Sequence, residues 1–237
     1  MESNNCLRSF ETINAYNAEK DSLEYPTISY VKEKNRAYFA PKPSLYEWVD
    51  LGLPSGLLWS AWNVGATKPE EFGLYFAWGE TQGYTGITDE KQFSWADYTL
   101  CDGTESNMLK YNATDGLTTL ELVDDAAHVT DNTCRMPTSG ECQELISNTT
   151  SAWTEVNGVY GCQFTSNVNE NSIFIPAAGY CVNGSFYYVG QYGTLWSSSL
   201  SESDTRYVFD LYFYPNTMSM NGDGRHYGFS VRPVKVI

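Results

Sequence analysis

Basic residues are scarce in this chain. It has 14 Lys+Arg against 29 Asp+Glu and a formal net charge of −15 over 237 residues. So acidic a protein is repelled by phosphate backbones and anionic lipid surfaces, which argues against nucleic acid as a partner. Long apolar runs are also missing. No stretch approaches the length needed to span a bilayer, so membrane insertion is not expected. The first 21 residues, MESNNCLRSFETINAYNAEKD, are polar and hold no signal-peptide apolar core; export would then use another route or a leader already removed. The six cysteines, Cys6, Cys101, Cys134, Cys142, Cys162 and Cys181, form no C-x-x-C pair, so neither a zinc ribbon nor a redox motif is supported. They read as buried thiols, with a Cys162–Cys181 bridge as the alternative.

Catalytic patterns are equally sparse. Ser197-Ser198-Ser199 has no G-x-S-x-G elbow around it and no placed base, so a hydrolase is disfavoured. Only two histidines occur. His128 reads as a helix-end residue, because a metal site beside Asp124-Asp125 would lack further ligands, and His226 reads as a ligand contact. Asp124-Asp125 reads as a solvated helix end. No catalytic residue, metal ligand or cofactor is assigned, and the chain is expected not to be an enzyme.

Aromatic residues (15%) and glycine (19 residues) are plentiful, a mix that suits a folded, turn-rich protein. Residues 1–21 are predicted to form a short helix with Phe10, Ile13 and Tyr16 on one side. Tyr25 to Ala40 reads as a hairpin, and Pro41-Lys42-Pro43 as a linker. This gives an accessory segment over 1–43 and a main domain over 44–237. Within the main domain, Thr138-Ser139-Gly140-Glu141 is a capping box opening a helix to about Asn148. Asn157-Gly158 marks the turn of a hairpin, Ser172 to Pro176 is a buried strand, and Gly184 to Gly193 is a loop. Glu80 to Leu117 is a long polar excursion held by Phe93, Trp95 and Tyr98. Trp48, Trp59, Trp62, Trp78 and Trp196 read as core, and Arg232 pairs with a buried carboxylate or with backbone carbonyls. With short helices, many short antiparallel strands and no βαβ rhythm, the fold class is α+β.

The closing segment is the most informative. In Phe209-Asp210-Leu211-Tyr212-Phe213-Tyr214 the period of two places Phe209, Leu211 and Phe213 inward, and Asp210, Tyr212 and Tyr214 outward. Pro215-Asn216 is the turn. The return strand, Thr217 to Asn221, points Met218 and Met220 inward and Ser219 and Asn221 outward. Asn221-Gly222-Asp223-Gly224 then reads as a flexible loop presenting His226 and Tyr227. A face of Tyr, Asn, Asp and Ser has the composition of a recognition surface. The candidate ligand-binding residues are Tyr187, Tyr188, Tyr192, Leu195, Tyr207, Asp210, Tyr212, Tyr214, Ser219, Asn221, Asp223, His226 and Tyr227. The bland alternative is that tyrosine is simply a good strand former.

Six motifs occur in register: Glu47-Trp48-Val49-Asp50-Leu51-Gly52-Leu53-Pro54-Ser55-Gly56, Phe76-Ala77-Trp78-Gly79-Glu80, Arg135-Met136-Pro137-Thr138, Ile175-Pro176-Ala177-Ala178-Gly179-Tyr180, Trp196-Ser197-Ser198, and Gly228-Phe229-Ser230-Val231-Arg232-Pro233-Val234. Together, over about residues 46–237, they resemble the "major paralogous" (FISUMP-like) domains of gut Bacteroidales and their phages. The resemblance implies a C-type lectin-like fold in its formylglycine-generating-enzyme-like branch. It also implies a variable protein of a diversity-generating retroelement, with a variable region at about 187–227. The expected role is binding of a protein or glycan receptor on a target cell, from a virion or cell surface. The N-terminal segment would contact virion structural proteins. The alternatives are an undiversified adhesin or glycan-binding module of the same fold and, with less support, a formylglycine-generating-type enzyme. The Glu-Pro-Asn and Trp-Asn-Asp runs of lectin calcium sites are missing, and no cysteine follows Cys181, so the resemblance brings neither a calcium site nor the late catalytic cysteines.

Overall fold

The computed structural model describes residues 7–10, 28–31, 36–39 and 45–236. The chain divides into two units, residues 1–45 and 46–237. In the first, β1 (Leu7–Phe10) pairs in parallel with β2 (Ile28–Val31), and β2 pairs antiparallel with β3 (Arg36–Phe39). The hairpin expected over residues 25–40 is present. Leu7–Phe10 is a strand rather than the start of the predicted helix, because the free edge of β2 supplies its backbone partners. The rest of that helix, including Ile13 and Tyr16, and the Pro41–Pro43 linker lie outside the described residues.

The second unit is α+β: small, mostly antiparallel sheets, two short helices and long connections. In chain order its elements are β4 (Trp48–Asp50), β5 (Leu57–Ser60), β6 (Tyr75–Phe76), α1 (Ala126–Thr130), α2 (Ser139–Asn148), β7 (Thr149–Val156), β8 (Val159–Ser166), β9 (Ser172–Pro176), β10 (Tyr180–Val182), β11 (Ser185–Tyr187), β12 (Gly193–Leu200), β13 (Tyr207–Tyr214), β14 (Thr217–Gly224), β15 (Phe229–Ser230) and β16 (Val234–Val236). The largest sheet has the order β14-β13-β12-β15-β6, and α2 packs across β12, β13 and β14. Among the described residues no helix is long and apolar enough to cross a membrane.

Local chemistry sets several of these elements. Thr138 caps α2 and Glu141 returns the bond, completing the expected capping box. Arg135 grips Glu141 with two 2.7 Å hydrogen bonds. Asn157 and Gly158 both take positive φ, 50° and 85°, as a two-residue hairpin turn requires. Gly193 lies opposite Phe213, and a Cβ there would sit 2.0 Å from the Phe213 ring. Only glycine lets that ring lie flat across the neighbouring strand. Trp59, Trp78 and Trp196 are fully buried, while Trp48 and Trp62 are half-buried at the core edge. Cys101, Cys134, Cys142, Cys162 and Cys181 are buried, and Cys162 and Cys181 are not bridged to each other.

The 80–117 excursion forms little regular structure beyond a single turn of 3-10 helix at Trp95–Asp97, and Phe93 and Tyr98 anchor it in a cluster of their own. Arg225 ties it to the sheet. This buried guanidinium donates to the Tyr98 hydroxyl and to the carbonyls of Lys110, Tyr111 and Thr205. It also lies 5.0, 5.3 and 5.8 Å from the ring centres of Trp78, Tyr98 and Tyr111. Arg232 is equally buried and takes the carbonyl alternative, donating to Ser60 O, Phe174 O and the Asn63 side chain.

The alternation expected in β13 is broken at its centre. Phe209 is 36% exposed and Asp210 is fully buried, the reverse of the expectation, while Leu211 and Phe213 are in the core. The expectation assumed one solvated face. Instead α2 covers the face of Leu211 and Phe213, and the Tyr180–Tyr227 side covers Val208 and Asp210. A register shift in β12 between Trp196 and Leu200 leaves Phe209 without a β12 partner, at an open pocket with Ser199 and Leu200, while it still pairs with Gly222 on β14.

Replacing Phe213 with Ala should cost about 3–5 kcal/mol, and Phe209→Ala less than about 1 kcal/mol, in urea unfolding; equal losses would place Phe209 in the core after all. Arg225→Leu strands three carbonyls and should cost on the order of 3 kcal/mol. An unchanged unfolding midpoint would show that the excursion does not depend on this residue.

Candidate functional site: an aromatic groove on the closing hairpin

The β13–β14 hairpin brings Asp210 opposite Asn221, Tyr212 opposite Ser219 and Tyr214 opposite Thr217, the cross-strand alignment expected from the sequence. β14 continues through Asn221-Gly222-Asp223-Gly224, which is strand and not the predicted flexible loop, because every residue of it has a partner on β13. The 184–193 segment likewise holds β11, paired with β10.

The loop from Tyr187 to Tyr192 is folded against the hairpin by backbone bonds. Gly179 N–H donates to Tyr192 O at 2.7 Å and Gly190 N–H to Ala177 O at 2.7 Å, while Tyr192 N–H closes a turn onto Tyr188 O at 3.0 Å. Gly179 has φ +62°, and a Cβ there would meet Tyr187 O at 2.2 Å, so the close approach requires glycine. Tyr188 itself adopts φ 55°, a conformation few non-glycine residues accept.

These constraints assemble a continuous array of tyrosines. Tyr192 stacks on Tyr212 and Tyr214 at 5.7 and 5.8 Å. Tyr180 stacks on Tyr187 at 5.3 Å and on Tyr227 at 6.0 Å, and meets Tyr192 edge-on at 6.2 Å. Across from them Trp153 and Tyr160 stack at 6.4 Å with 10° between planes. All fall within the range of favourable ring pairs. Between the two groups runs a groove of about 730 Å³ lined by Trp153, Tyr160, Tyr180, Tyr188, Gly190, Gln191, Tyr192, Tyr214, Pro215, Asn221 and Asp223.

Of the sequence-predicted residues, Tyr188, Tyr192, Tyr214, Asn221 and Asp223 line this groove. Tyr187, Tyr212 and Tyr227 adjoin it through ring contacts. Ser219 is exposed but does not line it; Tyr207 is exposed on the opposite face of β13, in phase with Leu211 and Phe213. Three expectations are corrected. Leu195 is fully buried, packed with Leu211 and Phe213, because β12 is a central strand. His226 is 6% exposed, its ring 4.2 Å from that of Trp95, and burial pulls its pKa down to about 4. Asp210 is buried with both carboxyl oxygens unpartnered. Asp125, expected to be solvated, is also buried; it caps α1 and accepts the Met136 N–H. The sequence reading missed Trp153, Tyr160 and Tyr180. The first two flank the Asn157-Gly158 turn, and their spacing there was the one available signal.

Ser197 is occupied structurally, its hydroxyl donating to Phe209 O at 2.6 Å. Among the described residues no three His, Cys, Asp or Glu side chains gather as a metal site would need. The electrostatic weight of the site lies in Asp210 and Asp223. Burial, then the neighbouring Asp223, raises Asp210 well above the usual carboxylate range, with only its own backbone amide opposing. Burial raises Asp223 too, against a 3.1 Å hydrogen bond from Asn221.

A carboxyl raised on folding binds its proton more tightly in the folded chain. The resulting stability is complete below the unfolded value near 4 and is lost as pH rises through the raised value. Asp210→Asn should therefore raise the melting temperature at about pH 8 and change it little below about pH 4. A difference independent of pH would show that Asp210 is not held protonated.

No protein-family model, curated protein or solved structure matches this chain, so the functional reading rests on the groove itself.

Proposed function

We propose that this chain is a ligand-binding protein that recognises a receptor through the aromatic groove, on a scaffold of the C-type lectin-like class in its formylglycine-generating-enzyme-like branch. On this reading it is a retroelement-diversified variable protein displayed on a virion or cell surface. The observation that carries the proposal is how the groove is built. Eight of its eleven lining residues fall within 187–227, the segment expected to vary, while Trp153, Tyr160 and Tyr180 stand outside it. Several of those eight have little part in holding the fold: Tyr188 is 56% exposed and Tyr214 42%, and Gln191 and Asn221 are also exposed. Tyrosines in such places offer large contact area with few torsions to freeze, plus a hydroxyl. The groove wall holds no cysteine, which favours recognition over thiol oxidation.

An undiversified glycan-binding module is the second reading, and the near-parallel Trp153–Tyr160 pair, a platform on which a sugar ring could stack, favours it. Flanking DNA separates the two. The diversified reading requires a reverse transcriptase gene and a near-copy of the 3′ coding end differing at adenines, and their absence would sink it. Both readings share one expectation for the protein. Tyr188→Ala with Tyr214→Ala should abolish capture of whole cells or of glycans on an array while moving the melting temperature by less than about 2 °C. Capture that survives both changes rules out the groove.

A further inference from the structure

The groove has a charge bias beyond its rings. Asp223 lines it, and Asp210 stands diagonally across the β13–β14 pair on the same face, since Asp210 faces Asn221 and Val208 faces Asp223. Asp210 is wholly buried and both its oxygens lack a hydrogen-bond partner. Among the described residues neither carboxyl pairs with a cation. Among the described residues Lys91 pairs with Glu80, Lys110 with Glu121 and Asp124, Arg135 with Glu141, and Arg206 with Asp204. Arg225 and Arg232 donate to carbonyls and to the Tyr98 and Asn63 side chains. No basic side chain lines the groove. An acid without a counter-charge, set among the electron-rich faces of aromatic rings, is the environment that receives a cation.

We propose that the groove binds a positively charged group, the ammonium or guanidinium of a basic side chain on a partner protein. This rests on the groove being the recognition site and names its ligand class. Asp223 meets the charge at the groove wall, the tyrosine and tryptophan faces surround it, and Asp210, protonated while the groove is empty, gains a counter-charge to ionise against when the cation arrives. The chain already holds one cation this way: Arg225 sits among Trp78, Tyr98 and Tyr111, and among the described residues no carboxylate enters its hydrogen-bond shell. The net charge of −15 steers basic surfaces toward the protein at long range. A neutral sugar would use the same rings but would leave Asp223 without a counter-charge.

The test uses the full chain and four probes: Nα-acetyl-lysine methylamide, Nα-acetyl-arginine methylamide, the uncharged Nα-acetyl-norleucine methylamide, and a panel of neutral methyl glycosides. Binding is followed by shifts of the tyrosine ring resonances. The two cationic probes should bind at least about tenfold more tightly than the norleucine probe, and Asp223→Asn should erase that advantage. Should Asp223→Asn lower the melting temperature, salt decides on the native chain: added NaCl must weaken the lysine probe and leave the norleucine probe unchanged. Equal binding of lysine and norleucine probes, or a preference for glycosides at the same tyrosines, overturns the cation assignment and leaves the groove standing as a recognition site. Failure of every probe to shift those tyrosines overturns the assignment too. The groove itself then stands or falls on whether the Tyr188 and Tyr214 substitutions affect capture.

Discussion

Two buried arginines take over work that regular secondary structure does elsewhere. A chain with long irregular connections carries many backbone carbonyls that no helix or ladder satisfies, and burying them unpaired is costly. Arg225 gathers carbonyls from residues 110, 111 and 205, and Arg232 gathers those of residues 60 and 174. Each joins segments more than fifty residues apart through one rigid, planar donor fork. Among the described residues neither has a carboxylate hydrogen-bonded to it, so each charge is stabilised by dipoles, and for Arg225 by ring faces as well. The end of β14 is therefore fixed from its own backbone side: Arg225 is anchored in the excursion, and Asp223 and Tyr227 flank it two positions either way.

That anchorage explains why the hairpin can be both rigid and varied in its side chains. Leu211 and Phe213 bind it to α2, Val208 and Asp210 face the Tyr180–Tyr227 side, and Arg225 holds its end. What remains over the groove is Tyr214, Pro215, Asn221 and the loop 188–192, whose backbone is held by Gly179 and Gly190 through main-chain bonds. A loop held by its backbone leaves its side chains free for contact.

The legibility of the sequence follows the range of each signal. The Thr138–Glu141 cap, the Asn157-Gly158 turn, the β13–β14 alignment and the tryptophan core were readable because a few adjacent residues decide each. The burial of Asp210 and exposure of Phe209 were not, because they depend on a register shift in β12 and on a second cover over β13, both supplied by distant chain. The strand character of 221–224 was hidden by its glycines and polar residues, whose low strand propensity is overridden by eight consecutive partners on β13. Trp153 and Tyr160 read as hairpin residues, and only tertiary folding sets their stacked pair opposite Tyr192 and Tyr214.

Asp210 is the residue that least serves the fold. A buried carboxyl with two unpartnered oxygens lowers stability, and a neutral side chain of the same shape would avoid the cost. Its neighbour Asp223 adds repulsion rather than relief. The surrounding residues are otherwise well matched: Asp125 has three amide donors, Glu141 a bidentate arginine and a cap, Arg225 four hydrogen-bond partners. A chain that satisfies Asp125, Glu141 and Arg225 this fully, yet leaves both oxygens of Asp210 unmatched behind an aromatic groove, places that strain where a ligand can relieve it. That placement makes the groove a more specific feature than tyrosine content alone, since stacking rings tolerate many partners and the Asp223 carboxyl, with Asp210 ready to ionise behind it, favours one sign of charge.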